Sequence, residues 1–205
     1  MNLHYGCGLA AGIGWHNCDA SPTLRLQRLP LIGRVFQKWI KPRFPDAVVY
    51  GDIVRGLNLP PDSCEAIYCS HILEHLALKD LRIALQNTHR YLKPGGLFRL
   101  VVPDFEQLMA TYQANPRPEA LSNFLRYTFL GREQRPKGFT ALIREHFSSP
   151  HHLWMWDEKG LVAELVEAGF TNIRRCQAGD STNQMFLAVE NPDRFTAALA
   201  IECSK

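Results

Sequence analysis

Three observations predict an α/β fold with a mostly parallel sheet. Strand-like and helix-like pieces alternate along the chain. The helical pieces space their apolar residues three and four apart, and the strand pieces are short apolar runs. Glycine, acidic or polar residues directly follow several strands: Gly6-Cys7-Gly8, Asp19, Asp52, Ser70-His71 and Asp104. In open α/β sheets that end of a strand is where ligands bind.

Asn2 to Tyr5 is a short strand running into Gly6-Cys7-Gly8, and Trp15 to Asp19 is a second. Ile32, Val35, Phe36, Trp39 and Ile40 recur at helical spacing, which predicts an amphipathic helix over 30–41. Asp46 to Tyr50 reads as the third strand, and Ala66 to Cys69 as the fourth. Leu81, Ala84, Leu85, Thr88 and Leu92 mark a long helix, stopped by Lys93-Pro94-Gly95-Gly96. Leu97 to Val102, apolar except for Arg99, reads as a buried central strand. Helices at about 105–114 and 118–130, followed by a loop rich in Gly, Arg and Lys, predict a helical insertion over 105–150. Asp157 to Ala168 is a helix closed by Gly169. Phe170 to Cys176 and Ala197 to Cys203 are the last strands, with a further strand over Gln184–Val189 as an option.

The 205 residues suffice for one domain with a real core, so 1–205 is expected to be a single domain carrying that insertion. An apolar fraction of 46% with 21% charged residues argues against disorder. No apolar run reaches the length of a membrane span, and the N-terminus has no secretion signal. The six cysteines show no C-x-x-C spacing, and a reducing cytoplasm is the expected location. A net charge of +3 is too small to imply nucleic acid, and none is expected as a partner.

Gly6 and Gly8 allow positive φ and close contact between a ligand and the backbone. A carboxylate at Asp19 can accept from both hydroxyls of a ribose, and one at Asp52 from a base amino group. Each acid alone reads as a helix cap or a solvated loop residue; their shared place at strand ends favours the ligand reading. Gly6, Gly8 and Ala11 nearly fit the dinucleotide pattern G-x-G-x-x-A. That pattern needs a helix to hold a pyrophosphate and an acid about 20 residues on. Asp19 follows Gly8 too soon, and Gly12 and Gly14 interrupt the helix. A ligand with a ribose and base but no pyrophosphate suits the turn better.

Leu3-His4-Tyr5-Gly6-Cys7-Gly8 followed by Gly14-Trp15-His16-Asn17-Cys18-Asp19 resembles the opening of class I S-adenosylmethionine-dependent methyltransferases, in the subgroup with a G-W-x-N-x-D second strand. The likeness continues through Tyr50-Gly51-Asp52-Ile53, through Ser70-His71-Ile72-Leu73-Glu74-His75-Leu76, and through Leu92-Lys93-Pro94-Gly95-Gly96. Several such motifs in order are far more specific than one. The resemblance implies a doubly wound, mostly parallel, seven-stranded Rossmann-like sheet with a reversed last strand. It implies S-adenosylmethionine as cofactor, bound by Gly6, Cys7, Gly8, Asp19, Asp52, Ile53, Ser70 and His71. Asp19 would take the ribose, Asp52 with Ile53 the adenine, and Ser70 with His71 the sulfonium side. The sequence opens at its first strand, so the insertion is expected to cover substrate where many members use an N-terminal helix.

The expected function is methyl transfer to a small-molecule, glycan or lipid-type acceptor. His71, Asp104 and His151 are the candidate catalytic residues. Two rivals remain. His71-Ile72-Leu73-Glu74-His75 spells H-x-x-E-H, which on a helix would suit a zinc-dependent hydrolase. Its position after a buried strand disfavours that, and no metal ligand is assigned. The other rival is a protein that binds the cofactor without catalysis. His151-His152 with Trp154 and Trp156 reads equally as a substrate wall or as an anchor for the insertion. Arg25, Arg28, Arg34, Lys38, Lys41 and Arg43 give the 30–41 segment a basic edge, which suits water or peripheral contact with an anionic membrane.

Overall fold

The computed structural model describes residues 1–30, 41–131, 133 and 151–205. The predicted helix over 30–41 and the end of the insertion therefore lie outside the described residues.

Seven strands form one sheet: β1 (Asn2–Tyr5), β2 (Trp15–Asp19), β3 (Val48–Tyr50), β4 (Cys64–Ser70), β5 (Leu92–Pro103), β6 (Thr171–Arg175) and β7 (Ala198–Ser204). Their order is β3-β2-β1-β4-β5-β7-β6. Strands β3 to β5 pair in parallel, and β7 alone runs against its neighbours. The order in which strands are added reverses between the parallel β1 and β4, which opens a crevice at their carboxyl ends. Helices α1 (Pro22–Gln27), α2 (Leu78–Tyr91), α3 (Phe105–Gln113), α4 (Ala120–Tyr127) and α5 (Glu158–Glu167) fill the connections. Helix α1 is not evident in the sequence: it is short, and Pro22 opens it.

Pleating sends alternate residues of β5 to opposite faces. Phe98, Leu100 and Val102 pack with Leu81, Leu85, Leu161 and Leu165 of α2 and α5 in the larger core. Val101 faces the other way, with Trp15, Ala66, Tyr68, Phe186 and Val189. There the segment that reads as an optional strand, Gln184–Val189, is instead a short 3-10 helix over Gln184–Ala188. The reason is local. Asn183 Oδ1 accepts from the Met185 N–H and caps the turn. Phe186 and Val189, three apart, both point inward, the spacing of a 3-10 turn rather than of a strand.

A parallel connection ordinarily needs a dozen or more residues and a helix. Between β1 and β2 the chain makes the crossing in residues 6–14 without one. The buried Asn17 carboxamide substitutes for the missing helical bonds. Its Oδ1 accepts from the Gly12 N–H at 3.0 Å, and its Nδ2 donates to the carbonyls of Gly12 and Trp15, both at 3.0 Å. Trp15 Nε1 donates to the Met185 carbonyl, tying the 3-10 segment to this loop.

Of the basic residues near 30–41, Arg28 donates to the carbonyls of Pro45 and Val48, and the Arg25 guanidinium lies 5.5 Å from the centre of the Tyr50 ring. Both serve local structure. Among the described residues no helix is long and apolar enough to cross a membrane.

Candidate functional site

The crevice at the ends of β1, β2 and β4 has a volume of about 420 Å³ and is bordered by Gly6, Cys7, Gly8, Asp19, Ser70 and Arg194. Gly6 and Gly8 have φ of 63° and 55°, the left-handed region that glycine enters at no cost. A Cβ on Gly6 would sit 2.3 Å from Ile72 Cγ1, whereas one on Gly8 would meet nothing within 4 Å. Gly8 therefore borders open space, which its missing side chain leaves unfilled.

Asp19, at the end of β2, closes this turn. Its Oδ2 accepts from the Gly8 N–H at 2.9 Å and its Oδ1 from the Ser21 N–H at 2.8 Å. Each carboxylate oxygen keeps a further lone pair for a hydroxyl. The Cys7 thiol is pushed up to about 12, by burial first and by the Asp19 charge second. It is a neutral lining group, not a nucleophile.

The floor carries two buried polar atoms, His4 Nδ1 and the Tyr68 hydroxyl, with no hydrogen-bond partner among the described residues. Burial is the main cause that lowers the His4 pKa from 6.5 to about 4. The unfolded chain takes up this proton first. The stability that neutral His4 contributes is thus complete above pH 6.5 and is lost as the pH falls toward 4. We expect its imidazole NMR signals to stay unshifted between pH 7 and pH 5, unlike those of a solvent-exposed histidine.

A second cavity of about 960 Å³ adjoins the first, with Ile72 and Arg194 common to both. Its walls include His71, Glu74, His75 and His152, with Tyr127 and Phe129 of the insertion; the Phe129 ring lies 5.2 Å from that of His152. His71 follows β4 in the left-handed region, with φ of 54°, a conformation that costs about 1–3 kcal/mol when the surroundings impose it. Its N–H donates to the Val101 carbonyl, and its Nε2 donates to the Arg194 carbonyl at 2.9 Å. Arg194 in turn donates through Nε to Ser70 Oγ and through its terminal nitrogen to the Ser70 carbonyl.

Gly6, Cys7, Gly8, Asp19, Ser70 and His71 are thus gathered around two connected cavities. Asp52 and Ile53 line neither. Asp52 Oδ1 accepts from the N–H groups of Val54 and Arg55, its Oδ2 pairs with Arg55, and the Ile53 side chain is in the core. Asp104 is buried and occupied: its Oδ1 caps α3 at Gln107, and its Oδ2 pairs with Arg175. His151 Nδ1 donates to the Phe129 carbonyl; its neighbour His152 faces the cavity instead. The tryptophans divide, with Trp156 buried in the core and Trp154 exposed.

The helical H-x-x-E-H reading is overturned. Only Leu73–His75 turn, as a 3-10 helix, and His71 precedes them in a left-handed conformation. The two histidines therefore do not project from one α-helical face. Sequence reasoning missed Arg194, His4 and Tyr68 as lining groups. No spacing rule connects Arg194, on the turn Pro192–Phe195, to Ser70.

A family model described as a methyltransferase domain matches residues 30–100, a range that holds β3, β4, α2 and most of β5 but begins after the glycine turn. A S-adenosylmethionine-dependent methyltransferase from Archaeoglobus fulgidus superposes with a TM-score of 0.53 at 15% identity, covering 100% of this chain and 85% of that one. A possible histamine N-methyltransferase from Thermotoga maritima gives 0.51 at 16% identity, covering 100% and 81%. PigF with SAH gives 0.51 at 17% identity, covering 100% and 55%. Among curated proteins none matches. At these identities the likeness establishes the fold, which is that of the Rossmann-like methyltransferases.

Proposed function

We propose that this chain is a S-adenosylmethionine-dependent methyltransferase whose cofactor occupies the smaller cavity and whose acceptor occupies the larger. The observation that carries this reading is the crevice itself. A glycine turn with room beside Gly8, a carboxylate at Asp19 and two unpartnered buried polar atoms meet at the strand ends where this fold binds ligands. These groups fit a nucleoside joined to an amino acid: Asp19 suits the ribose hydroxyls, while His4 and Tyr68 suit the charged methionyl end. Asp52 and Ile53, which the resemblance assigns to the adenine, do not line this cavity. Ser70 and His71 lie at the junction of the cavities, where the reacting methyl belongs.

S-adenosylmethionine, when bound, supplies a methyl group activated by a sulfonium. The chain's own contribution is largely placement. Alignment of two reactants is worth roughly 7–11 kcal/mol, whereas one general base contributes about 10²–10⁴-fold. Of the three candidate bases, only His71 borders the acceptor cavity, and its Nε2 hydrogen is committed to Arg194. His71 therefore holds the cavity junction in shape, and any proton it accepts goes to Nδ1. Tyr127 and Phe129 offer the acceptor an apolar wall, which suits the carbon skeleton of a small molecule, glycan or lipid-type compound.

Methyl transfer into a metabolite extract, followed by mass spectrometry, tests the reading. Labelled methyl in at least one compound is expected; cofactor binding with no transfer to any compound would favour the non-catalytic alternative. Gly8→Val is expected to abolish cofactor binding in calorimetric titration. Its side chain fills the open space, and a β-branched residue is strained at this φ. An unchanged circular-dichroism spectrum would show that the loss is local.

A further inference from the structure

Glu74, His75 and His152 form a wall of the larger cavity that neither the cofactor nor an apolar acceptor accounts for. Each offers one ligand atom, and these atoms lie within 4.8 Å of one another. The Glu74 side chain is fully buried, and neither carboxylate oxygen accepts a hydrogen bond among the described residues. His152 Nδ1 is buried and likewise without a hydrogen-bond partner there. The His75 tautomer follows from its contact. Nδ1 lies 3.1 Å from the His151 carbonyl, which only accepts, so Nδ1 carries the hydrogen. Nε2 then carries a lone pair and lies 4.0 Å from Glu74 Oε1.

The Glu74 carboxylate, the His75 Nε2 lone pair and the unpartnered His152 ring nitrogen thus converge, and no hydrogen bond among the described residues satisfies the carboxylate. A buried carboxylate left this way is strongly disfavoured, and a bound cation satisfies all three groups together.

We propose that Glu74, His75 and His152 bind a divalent transition-metal cation whose open positions face the larger cavity and take an oxygen of the acceptor. Two imidazoles with one carboxylate suit zinc, manganese, iron or cobalt better than magnesium or calcium. The His75 hydrogen bond to a backbone carbonyl is the outer support that metal-bound histidines usually have. The backbone sets the third ligand in place. The N–H groups of Leu153 and Trp154 donate to the Glu74 carbonyl at 2.8 and 3.1 Å, which docks the segment carrying His152. Ligands about 2.0–2.2 Å from zinc lie about 3.4 Å apart in a tetrahedral site, so a small side-chain rotation closes the gap. His71 Nδ1, 3.2 Å from Glu74 Oε1, stands beside the site. A proton shared by these two groups is the competing way to satisfy the carboxylate.

Cation binding stands apart from the methyltransferase reading; only the role in holding the acceptor rests on it. Protein stripped with a chelator is dialysed against Zn²⁺ or Co²⁺ alone. One equivalent of cation is expected, with Co²⁺ absorption free of thiolate charge-transfer bands. His152→Ala and Glu74→Gln are expected to weaken binding at least about tenfold. His152 is not fully buried, so its variant remains informative where Glu74→Gln fails to fold. Absence of binding by the stripped protein, thiolate bands, or equal affinity in His152→Ala would overturn the proposal. Titration with S-adenosylmethionine in the same buffer keeps the two readings separate. Its failure counts against the cofactor, and failure of the cation alone counts against this site.

Discussion

Arg99→Met is expected to lower the melting temperature by roughly 10 °C. Arg99 lies on the central strand β5, is 1% exposed, and is the one charge in the stretch Leu97–Val102. Its Nε donates to Glu190 at 2.7 Å, and one terminal nitrogen to Glu202 at 2.8 Å and Asp180 at 3.0 Å. The other reaches the Gln177 carbonyl. This guanidinium therefore ties the irregular 177–190 segment to the sheet face where a helix would ordinarily pack. Removing one partner of a buried ion cluster costs about 3–5 kcal/mol, because the opposite charges stay buried. At roughly 2–4 °C per kcal/mol for a chain of this size, the shift is about 10 °C.

The pH dependence identifies the cause. Burial alone would raise the Asp180 carboxyl, but hydrogen bonds from Arg174, the Gln177 N–H and Arg99 outweigh it and hold it at about 2. Glu202 is lowered in the same way, by Ser181, Arg99 and Arg174 acting against burial. Both carboxyls are lowered on folding, so their contribution is complete above the unfolded value near 4 and is lost as the pH falls toward 2. The gap between wild type and Arg99→Met should narrow over that window, as measured by thermal melts. A constant gap would mean that Arg99 acts through packing on Phe186, 5.4 Å away, and not through charge.

Asp19→Ala is expected to weaken cofactor binding at least about 100-fold. A hydrogen bond to a charged group contributes about 1.5–3 kcal/mol. Asp19 holds the N–H groups of Gly8 and Ser21, and in the proposed function it is the carboxylate that takes the ribose. Alanine would remove the proposed ribose contact and release the turn. Asp19→Asn keeps an acceptor oxygen and the shape, and should fall between the two in calorimetric titration. The Asp19 assignment fails if the alanine variant binds as wild type does.

Much of the fold was legible because its signals are local. The β2 boundaries and those of β1, the α2 periodicity and the Gly169 stop all follow from neighbours in sequence. So did the position of the glycine turn and Asp19, since a strand end is recognisable where an apolar run stops. The segment over Gln184–Ala188 was not legible, because its apolar pattern fits a strand until Asn183 caps it and the sheet takes up Phe186. Asp104 carried the same strand-end signature as Asp19, yet Arg175, far along the chain, occupies it. The two acids differ in their partners: the Asp19 oxygens accept from backbone N–H groups, whereas Asp104 pairs with a guanidinium.

By itself the sequence determined the alternation of elements, the parallel sheet and the carboxylate beside the glycine turn, all of which depend on short-range sterics and burial. Only the tertiary structure decided that His152 joins Glu74, that Arg194 bonds Ser70, and that Arg99 fastens the last crossover. These contacts link residues far apart in the chain, and a side chain's chemistry does not specify which distant partner the folded backbone will bring within reach.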